Sequence, residues 1–197
     1  MAELNRVSRW FVNRSNSRRS ASALRGFAPF LTLPPSPRIL ELGAGAGALS
    51  LLLWERYRPS RLVVTDYDPV QVEAARRSLI ARLGSLPEAM EIRTADALHL
   101  PFEANSFDAL FALAVFHHVD AHSSEFVRRP EALREVRRVL TPGGQLVYTE
   151  ILGRKEIRSC LRELGFVPVH ERVGLGRDLG IHRSPELPPA GPAGTGK

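Results

Sequence analysis

The sequence predicts an α/β protein whose sheet is mostly parallel and covered by helices on both faces. Two patterns along the 197 residues indicate this class. Short apolar or β-branched strands alternate with segments of helical periodicity, and a glycine-rich turn joins the first of these strands to a helix. Because parallel strands need long crossover connections, strands separated by helices favour βαβ units. Ligands of such doubly wound sheets bind beyond the carboxyl ends of the strands.

The elements follow from breaks in the hydrophobic pattern, taken in chain order. A leading helix is expected over residues 21–33, before the Pro34-Pro35-Ser36-Pro37 break. Strands are predicted at 38–42, 62–65, 90–94, 107–116, 145–150 and 166–173. Helices are predicted at 48–57, 69–83, 130–140 and 155–164. Asp68 is placed to cap the second of these helices and Pro69 to begin it.

The chain divides into three predicted regions: a basic helical leader (1–36), an α/β domain (37–184) and a Pro- and Gly-rich tail (185–197), expected to be disordered. Residues 1–30 carry six arginines and one glutamate, which is most of the net charge of +6. Because the excess charge is confined to the leader, a nucleic-acid partner is not expected. Residues 1–20 either contact an anionic membrane surface or pack over the domain as a lid.

The composition is ordinary for a cytoplasmic protein, with 44% hydrophobic and 24% charged residues. Arginines interrupt the amino-terminal segment and exclude a signal peptide there. The single cysteine, Cys160, excludes an internal disulfide and a cysteine metal cluster. We therefore expect no metal site and a cytoplasmic location, peripheral to the membrane if the leader binds lipid.

The glycine-rich turn is a predicted cofactor site. Gly43, Gly45 and Gly47 alternate with alanines between the first strand and its helix. Glycine has no Cβ, so a ligand can lie against the bare backbone, and the helix directs free N–H groups at it. The same turn fits a nicotinamide-dinucleotide fingerprint with Ala48 in third place, so an oxidoreductase stays open as an alternative.

Two aspartates follow the next two strands at the same predicted edge. Asp66 ends the second strand, where a carboxylate accepts hydrogen bonds from both hydroxyls of a ribose. Asp96 follows the third strand, where it either accepts from the exocyclic amine of a heterocycle or caps its own loop.

Four further motifs follow between residues 98 and 144. They are Leu98-His99-Leu100-Pro101-Phe102, Ser106-Phe107-Asp108, Phe116-His117-His118-Val119 and residues 133–144, which end in Thr141-Pro142-Gly143-Gly144. Together with the glycine turn, this order resembles the class I S-adenosylmethionine-dependent methyltransferases, above all the small-molecule group of the ubiquinone and menaquinone type. The resemblance covers about residues 37–173. It implies a Rossmann-like sheet of seven strands with an antiparallel last strand, and S-adenosylmethionine as cofactor.

The resemblance also implies roles for individual residues. The methionine part of the cofactor would lie on Gly43, Ala44, Gly45 and Gly47, with Glu41 supporting its amino group. Asp66 would bind the ribose and Tyr67 the adenine face. Asp96, Ala97 and the carbonyl of Ala114 would complete the contacts.

Methyl transfer needs an aligned nucleophile and, for some acceptors, a base. His117 or His118 is the candidate base, the alternative being that both only pack or form hydrogen bonds; if the segment stays extended, their side chains diverge. No Asn/Asp-Pro-Pro-Tyr/Phe motif follows strand 4, so the expected acceptor is a small-molecule or lipid-like compound rather than a base amine or a protein glutamine.

Glu150 is followed almost at once by a helix, without the insertion that many relatives carry. A lid would then come from the leader, with Trp10 and Phe11, and from residues 121–129. The short lid keeps open a second alternative, a non-catalytic partner subunit that binds the cofactor.

Overall fold

A computed structural model describes residues 20–119, 127–173 and 178–186. Seven strands form one sheet, and they are β1 (Arg38–Leu42), β2 (Arg61–Asp66), β3 (Met90–Thr94), β4 (Phe107–Leu113), β5 (Leu140–Glu150), β6 (Val167–Val173) and β7 (Asp178–Arg183). The helices are α1 (over residues 20–27), α2 (Ala48–Tyr57), α3 (Pro69–Leu83), α4 (Phe116–Val119), α5 (Arg129–Val139) and α6 (Arg154–Glu163).

The sheet order is β3-β2-β1-β4-β5-β7-β6. The pairs from β3 to β5 are all parallel, and β7 runs antiparallel to both β5 and β6. The chain changes direction across the sheet between β1 and β4, which is where ligands bind in doubly wound sheets. The predicted fold class, with seven strands and an antiparallel last strand, is confirmed.

Two apolar cores cover the two faces of the sheet. One core lies under α5 and α6 and includes Leu133, Val136 and Leu161. The other lies under α1, α2 and α3 and includes Phe27, Leu53 and Leu79. Complete burial of such a side chain stabilises the fold by about 2 kcal/mol, so both helical layers are held firmly against the strands.

The leading helix is shorter than predicted. It ends at residue 27, and Ala28–Phe30 continue as a single turn of 3-10 helix. Pro29 lies in that turn; it cannot donate an i→i−4 hydrogen bond, and its ring would clash with the carbonyl one turn back in an α-helix. Leu24 and Phe27 are nevertheless buried in the second core.

The fourth strand ends earlier than predicted. β4 stops at Leu113, Ala114 has a left-handed φ of +58°, and Phe116–Val119 form the helical turn α4. The amide of Ala114 donates to the carbonyl of Thr149 over 2.8 Å, and the amide of His118 donates to the carbonyl of Val115 over 3.0 Å. The chain therefore bends where an extended strand was expected.

The fifth strand begins five residues earlier than predicted. Leu140 already pairs with Phe107, and the next matched pair is Gln145 with Ala109, so residues 141–144 form a bulge. Gly143 has a φ of +75° within this segment. The Pro-Gly-Gly break thus distorts the strand without preventing pairing at either side of it.

Several predictions concern segments outside the described ranges. These are the leader through residue 19 with Trp10 and Phe11, most of the 121–129 loop, and the tail beyond residue 186. Within the described ranges, every helix is too short or too polar to cross a bilayer.

Candidate functional site

The predicted site residues follow the carboxyl ends of neighbouring parallel strands. Gly43 follows β1, Tyr67 follows β2, Asp96 follows β3 and Ala114 follows β4. Parallel pairing brings these strand ends to one edge of the sheet, at the point where the strand order reverses. Residues far apart in sequence therefore share this edge.

The glycine turn has the backbone conformation that glycine allows best. The φ angles of Gly43, Gly45 and Gly47 are +67°, +55° and +78°. A Cβ on Gly43 would lie 2.7 Å from Cγ2 of Val115, which is too close for a real side chain. The turn is therefore a bare concave backbone that leads into the first turn of α2, where N–H groups remain free for a ligand.

Asp66 ties this turn to the end of β2. Its Oδ2 accepts from the amide of Gly45 over 2.9 Å, and its Oδ1 accepts from the amide of Asp68 over 3.0 Å. Burial raises the pKa of Asp66 and the charge of Asp68 raises it further, while hydrogen bonds from the backbone of Asp68, Gly45 and Tyr67 oppose that rise. The carboxylate is half-buried and oriented from both sides, and each oxygen retains lone-pair capacity for a hydroxyl donor.

Glu41 is an acid buried in the strand that precedes the turn. Its Oε2 accepts from the hydroxyl of Ser50, on α2, over 2.6 Å. Burial raises the pKa of Glu41 to about 7, with a further rise caused by the charge of Asp66 and a partial reduction caused by the Ser50 bond. A buried carboxylate held in this state gains from a cationic neighbour, such as an ammonium group.

Asp96 and Tyr67 lie at the outer part of the same edge. Oδ1 of Asp96 accepts from the amide of Leu98 over 3.0 Å, so the aspartate does cap its own loop. Ala97, the next residue, is buried. The side chain of Tyr67 is 37% exposed, which leaves part of its ring available to a flat ligand.

The two histidines are brought together by the helical turn α4. Their ring centroids are 4.0 Å apart, so the divergence expected for an extended segment does not occur. The backbone bend at Ala114 replaces the extended geometry on which that expectation depended.

A further residue, Glu150, contacts His117 and was not among the predicted site residues. Oε2 of Glu150 lies 2.8 Å from Nδ1 of His117, and Oε1 accepts from the amide of Phe116 over 2.7 Å. A signal was present in the sequence, since Glu150 ends an apolar strand as Asp66 does.

His118 has a different environment from its neighbour. Burial lowers the pKa of His118, the nearby His117 lowers it further, and the charge of Glu150 partly compensates. The environment of His118 therefore favours the uncharged imidazole.

The chain matches known proteins over this same region. A family model described as a methyltransferase domain matches residues 40–148, which is more than half of the chain. The chain belongs to the class I S-adenosylmethionine-dependent methyltransferases. The match runs from β1 into β5 and so spans the glycine turn, the three predicted acids (Glu41, Asp66 and Asp96) and the histidine pair.

Two curated methyltransferases illustrate the similarity. A demethylmenaquinone methyltransferase of Thermus thermophilus is 39% identical over 123 residues, which are 61% of this chain and 50% of that protein. A phthiotriol/phenolphthiotriol dimycocerosates methyltransferase of Mycobacterium ulcerans is 31% identical over 155 residues, which are 75% of this chain and 52% of that protein. The chain spans about half the length of these curated relatives.

Solved methyltransferase structures share the fold. A SAM-dependent methyltransferase from Aquifex aeolicus superposes with a TM-score of 0.74 at 18% identity, over 92% of this chain and all of that one. A structure described as a putative sarcosine dimethylglycine methyltransferase from Galdieria sulphuraria gives a TM-score of 0.70 at 16% identity, covering 89% and 88% of the two chains.

The residues of this methyltransferase domain fit the cofactor that the family uses. The bare turn at Gly43 would be filled by any Cβ, and it lies between a buried acid (Glu41) and a carboxylate oriented by backbone amides (Asp66). An acid, a bare backbone turn and an oriented carboxylate therefore lie close together, and S-adenosylmethionine carries an ammonium group, an amino-acid chain and ribose hydroxyls that suit them. In the described ranges, the His, Cys, Asp and Glu side chains form no group of three arranged to hold a metal ion.

Two open surface hollows lie away from this edge. One, of about 550 Å³, is lined by Ser60, Arg61 and Glu91 near the starts of β2 and β3. The other, of about 540 Å³, lies between α5 and α6 beside Arg134 and Cys160. Neither contains a residue predicted for the cofactor or for catalysis.

Proposed function

We propose that this protein transfers the methyl group of S-adenosylmethionine to an apolar small-molecule or lipid-like acceptor. The observation that carries the proposal is the joined unit of the glycine turn and Asp66 at the switch point of the sheet. The family match over residues 40–148 supports the same cofactor.

The cofactor, when bound, supplies an electrophilic methyl group on a sulfonium. The domain's own residues have binding roles. The backbone of Gly43, Ala44, Gly45 and Gly47 receives the methionine part, and Glu41 pairs with its ammonium. Asp66 accepts from the ribose hydroxyls, while Tyr67, Asp96, Ala97 and Ala114 surround the adenine and amino groups. Binding and alignment supply most of the catalysis in such a displacement.

His117 is the candidate general base where the acceptor loses a proton. The side chain of His117 is 10% exposed, and its ring contacts Glu150. His118 lies beside it, and burial lowers the pKa of His118. A base is needed for phenol, enol or amine acceptors.

An apolar acceptor is supported by the surface beside this base. Ile151 and Leu152 directly follow Glu150 and are 37% and 58% exposed. Val127, just before α5, is 58% exposed. Isolated exposed apolar residues are common, but Ile151 and Leu152 directly follow the acid that contacts His117, and Val127 precedes α5; this set fits an apolar ligand.

Calorimetric titration with S-adenosylmethionine, with NAD and NADP as controls, is the first test. We expect binding of the sulfonium compound alone, with a micromolar dissociation constant. Binding of NAD instead would contradict the proposal. Cofactor binding without methyl transfer to any acceptor in a quinone, phenol and lipid panel would favour the non-catalytic partner subunit.

The acceptor class is tested separately with surface variants. Leu152→Ser should raise the KM for an apolar acceptor and leave cofactor affinity unchanged. Val167→Ser is the matched control, because Val167 has nearly the same exposure (59%). Val167 begins β6 and lies at the end of the sheet where β5 starts, away from the carboxyl ends of the parallel strands. Equal effects of the two substitutions would exclude a specific role for Leu152.

A further inference from the structure

We propose that Glu150 is a positioning residue that holds the proton of His117 on Nδ1 and leaves Nε2 as the basic nitrogen. This inference rests on the proposed function, since it concerns the base of the methyl-transfer site. Glu150 ends β5 and His117 lies on α4, so the contact forms only when β4 and β5 pair.

Both oxygens of Glu150 are engaged by the α4 segment. Oε1 accepts from the backbone amide of Phe116 over 2.7 Å, and Oε2 lies 2.8 Å from Nδ1 of His117. The side chain of Glu150 is completely buried, and that of His117 is 10% exposed. Two short hydrogen bonds leave this buried carboxylate little freedom to rotate. It therefore fixes the orientation of the His117 ring.

The carboxylate also selects the histidine tautomer. An ionised carboxylate has acceptor oxygens only, so the imidazole nitrogen that contacts it must carry a hydrogen. That nitrogen is Nδ1, and a neutral ring then has its lone pair on Nε2. A carboxylate placed behind a histidine has the same orienting effect in hydrolase triads and in metal sites.

The preceding backbone bend is held from the same strand. The amide of Ala114 donates to the carbonyl of Thr149 over 2.8 Å, and the next residue, Glu150, supplies its side chain to Phe116. Successive residues of β5 thus bind both sides of the turn. The left-handed φ of Ala114 is unfavourable for a residue with a side chain, and these bonds offset that cost.

This arrangement defines a balanced proton step. The bond between the nucleophilic atom of the acceptor and its hydrogen breaks, and an Nε2–H bond forms. The electron pair stays on the acceptor atom, which thereby becomes the nucleophile. The imidazolium is stabilised by the buried carboxylate of Glu150 until it loses its proton to water.

The test is the tautomer of His117, measured by ¹⁵N NMR on histidine-labelled full-length protein, with His117→Asn used for assignment. In the unsubstituted protein we expect hydrogen on Nδ1. In Glu150→Gln the amide oxygen can still accept from Phe116, while the amide NH₂ faces Nδ1. The hydrogen should therefore move to Nε2, an inversion of the tautomer populations.

Asp178→Asn is the matched control. Asp178 is a buried acid paired across the sheet with Glu150, and it binds Arg154 and Arg158 instead of histidine. Its substitution should leave the tautomer of His117 unchanged. If Asp178→Asn and Glu150→Gln shift the tautomer populations of His117 equally, the cause is a general loss of buried charge and the proposal fails.

The readout needs neither acceptor nor turnover, so it is independent of the proposed function. An Nε2–H ring in the unsubstituted protein would overturn the inference even if Glu150→Gln failed to fold. Failure to bind S-adenosylmethionine, measured in the same samples, would instead contradict the proposed function. Once an acceptor is known, Glu150→Gln should lower kcat at least tenfold without a matching change in cofactor affinity.

Discussion

The amide of Gly45 donates to the carboxylate of Asp66 over 2.9 Å, which links the glycine turn after β1 to the end of β2. The neighbouring amide of Ala44 donates to the carbonyl of Thr65 over 2.9 Å. The proposed cofactor cradle and the proposed ribose-binding acid are therefore one preformed unit. A ligand that meets preformed groups loses less free energy to ordering them on binding.

Substitution of Asp66 tests this unit. Asp66→Ala should weaken S-adenosylmethionine binding by about 1–3 kcal/mol, since hydroxyl and amide donors are left unpaired. Isothermal calorimetry measures the change. Asp68→Ala is the control: it removes the cap on the amide of Val70 and should cost about 1 kcal/mol of stability without altering cofactor affinity. Unchanged affinity in the Asp66→Ala variant would remove Asp66 from the site.

The close approach at Gly43 leads to a second prediction. Gly43→Ala combines a left-handed φ with a contact of 2.7 Å to Val115, and the buried β-branched side chain has little room to move. We expect lower thermal stability and weaker cofactor binding. Gly84→Ala also places an alanine at a positive φ (+83°) but with open space around the new Cβ, so its loss of stability reports backbone strain without a steric contact.

The difference between these two alanine variants measures the steric contact. Adding Val115→Ala to Gly43→Ala should recover part of the lost stability, because it removes the atom that is too close. Equal melting temperatures for Gly43→Ala and Gly84→Ala would show that the contact with Val115 is unimportant.

The raised pKa of Glu41 predicts that cofactor affinity depends on pH. Burial places this pKa at about 7 in the free protein. A cationic ammonium binds the ionised carboxylate, so below this pKa binding must first release a proton. Affinity for S-adenosylmethionine should therefore rise as pH increases from about 6 to about 8, on either side of that pKa. Glu41→Gln should remove the pH dependence and weaken binding at the upper end of this range.

Glu41 should affect the stability of the free protein in the opposite sense: stability falls with rising pH, whereas cofactor affinity rises. The pKa of Glu41 in the folded protein lies above its unfolded value of 4.5. The favourable contribution of Glu41 to the free energy of unfolding is therefore complete below pH 4.5. The contribution is lost as pH rises through about 7, because only the unfolded chain ionises readily in this window. Glu41→Gln should therefore stabilise the free protein at about pH 8 relative to the unsubstituted protein. Urea denaturation at about pH 5 and about pH 8 measures this, and equal destabilisation at both would contradict it.

His118 offers a fourth prediction, in the histidine pair. Burial and the neighbouring His117 lower the pKa of His118, whereas Glu150 raises it. An NMR titration should find the pKa below the ordinary histidine value. Removing the acid in Glu150→Gln should lower it further, and removing the neighbouring ring in His117→Asn should raise it. A pKa above the ordinary value in the unsubstituted protein would mean that the pair is arranged differently in solution.

Much of the candidate site was predictable because its residues are tied to local pattern. A glycine after a buried strand and an aspartate at the end of the next strand can be read from neighbours in the sequence, and the structure brings Gly45 and Asp66 into contact. Glu150 was missed because its partner lies 33 residues earlier in the chain. Two kinds of acid can end a strand: one exposed to water, and one that binds a histidine after the adjacent strand. The neighbouring sequence does not distinguish them.

The sequence by itself determined the order of the first six strands, the glycine turn and the fold class, since hydrophobic periodicity and turn residues act over a few positions. The seventh strand was expected only from the family resemblance. Only the tertiary structure decided the bend at Ala114, the helical turn at Phe116 and the pairing of His117 with Glu150. These depend on hydrogen bonds from β5, which reach the α4 segment only after the strands have paired. The tautomer expected for His117 follows from that long-range contact.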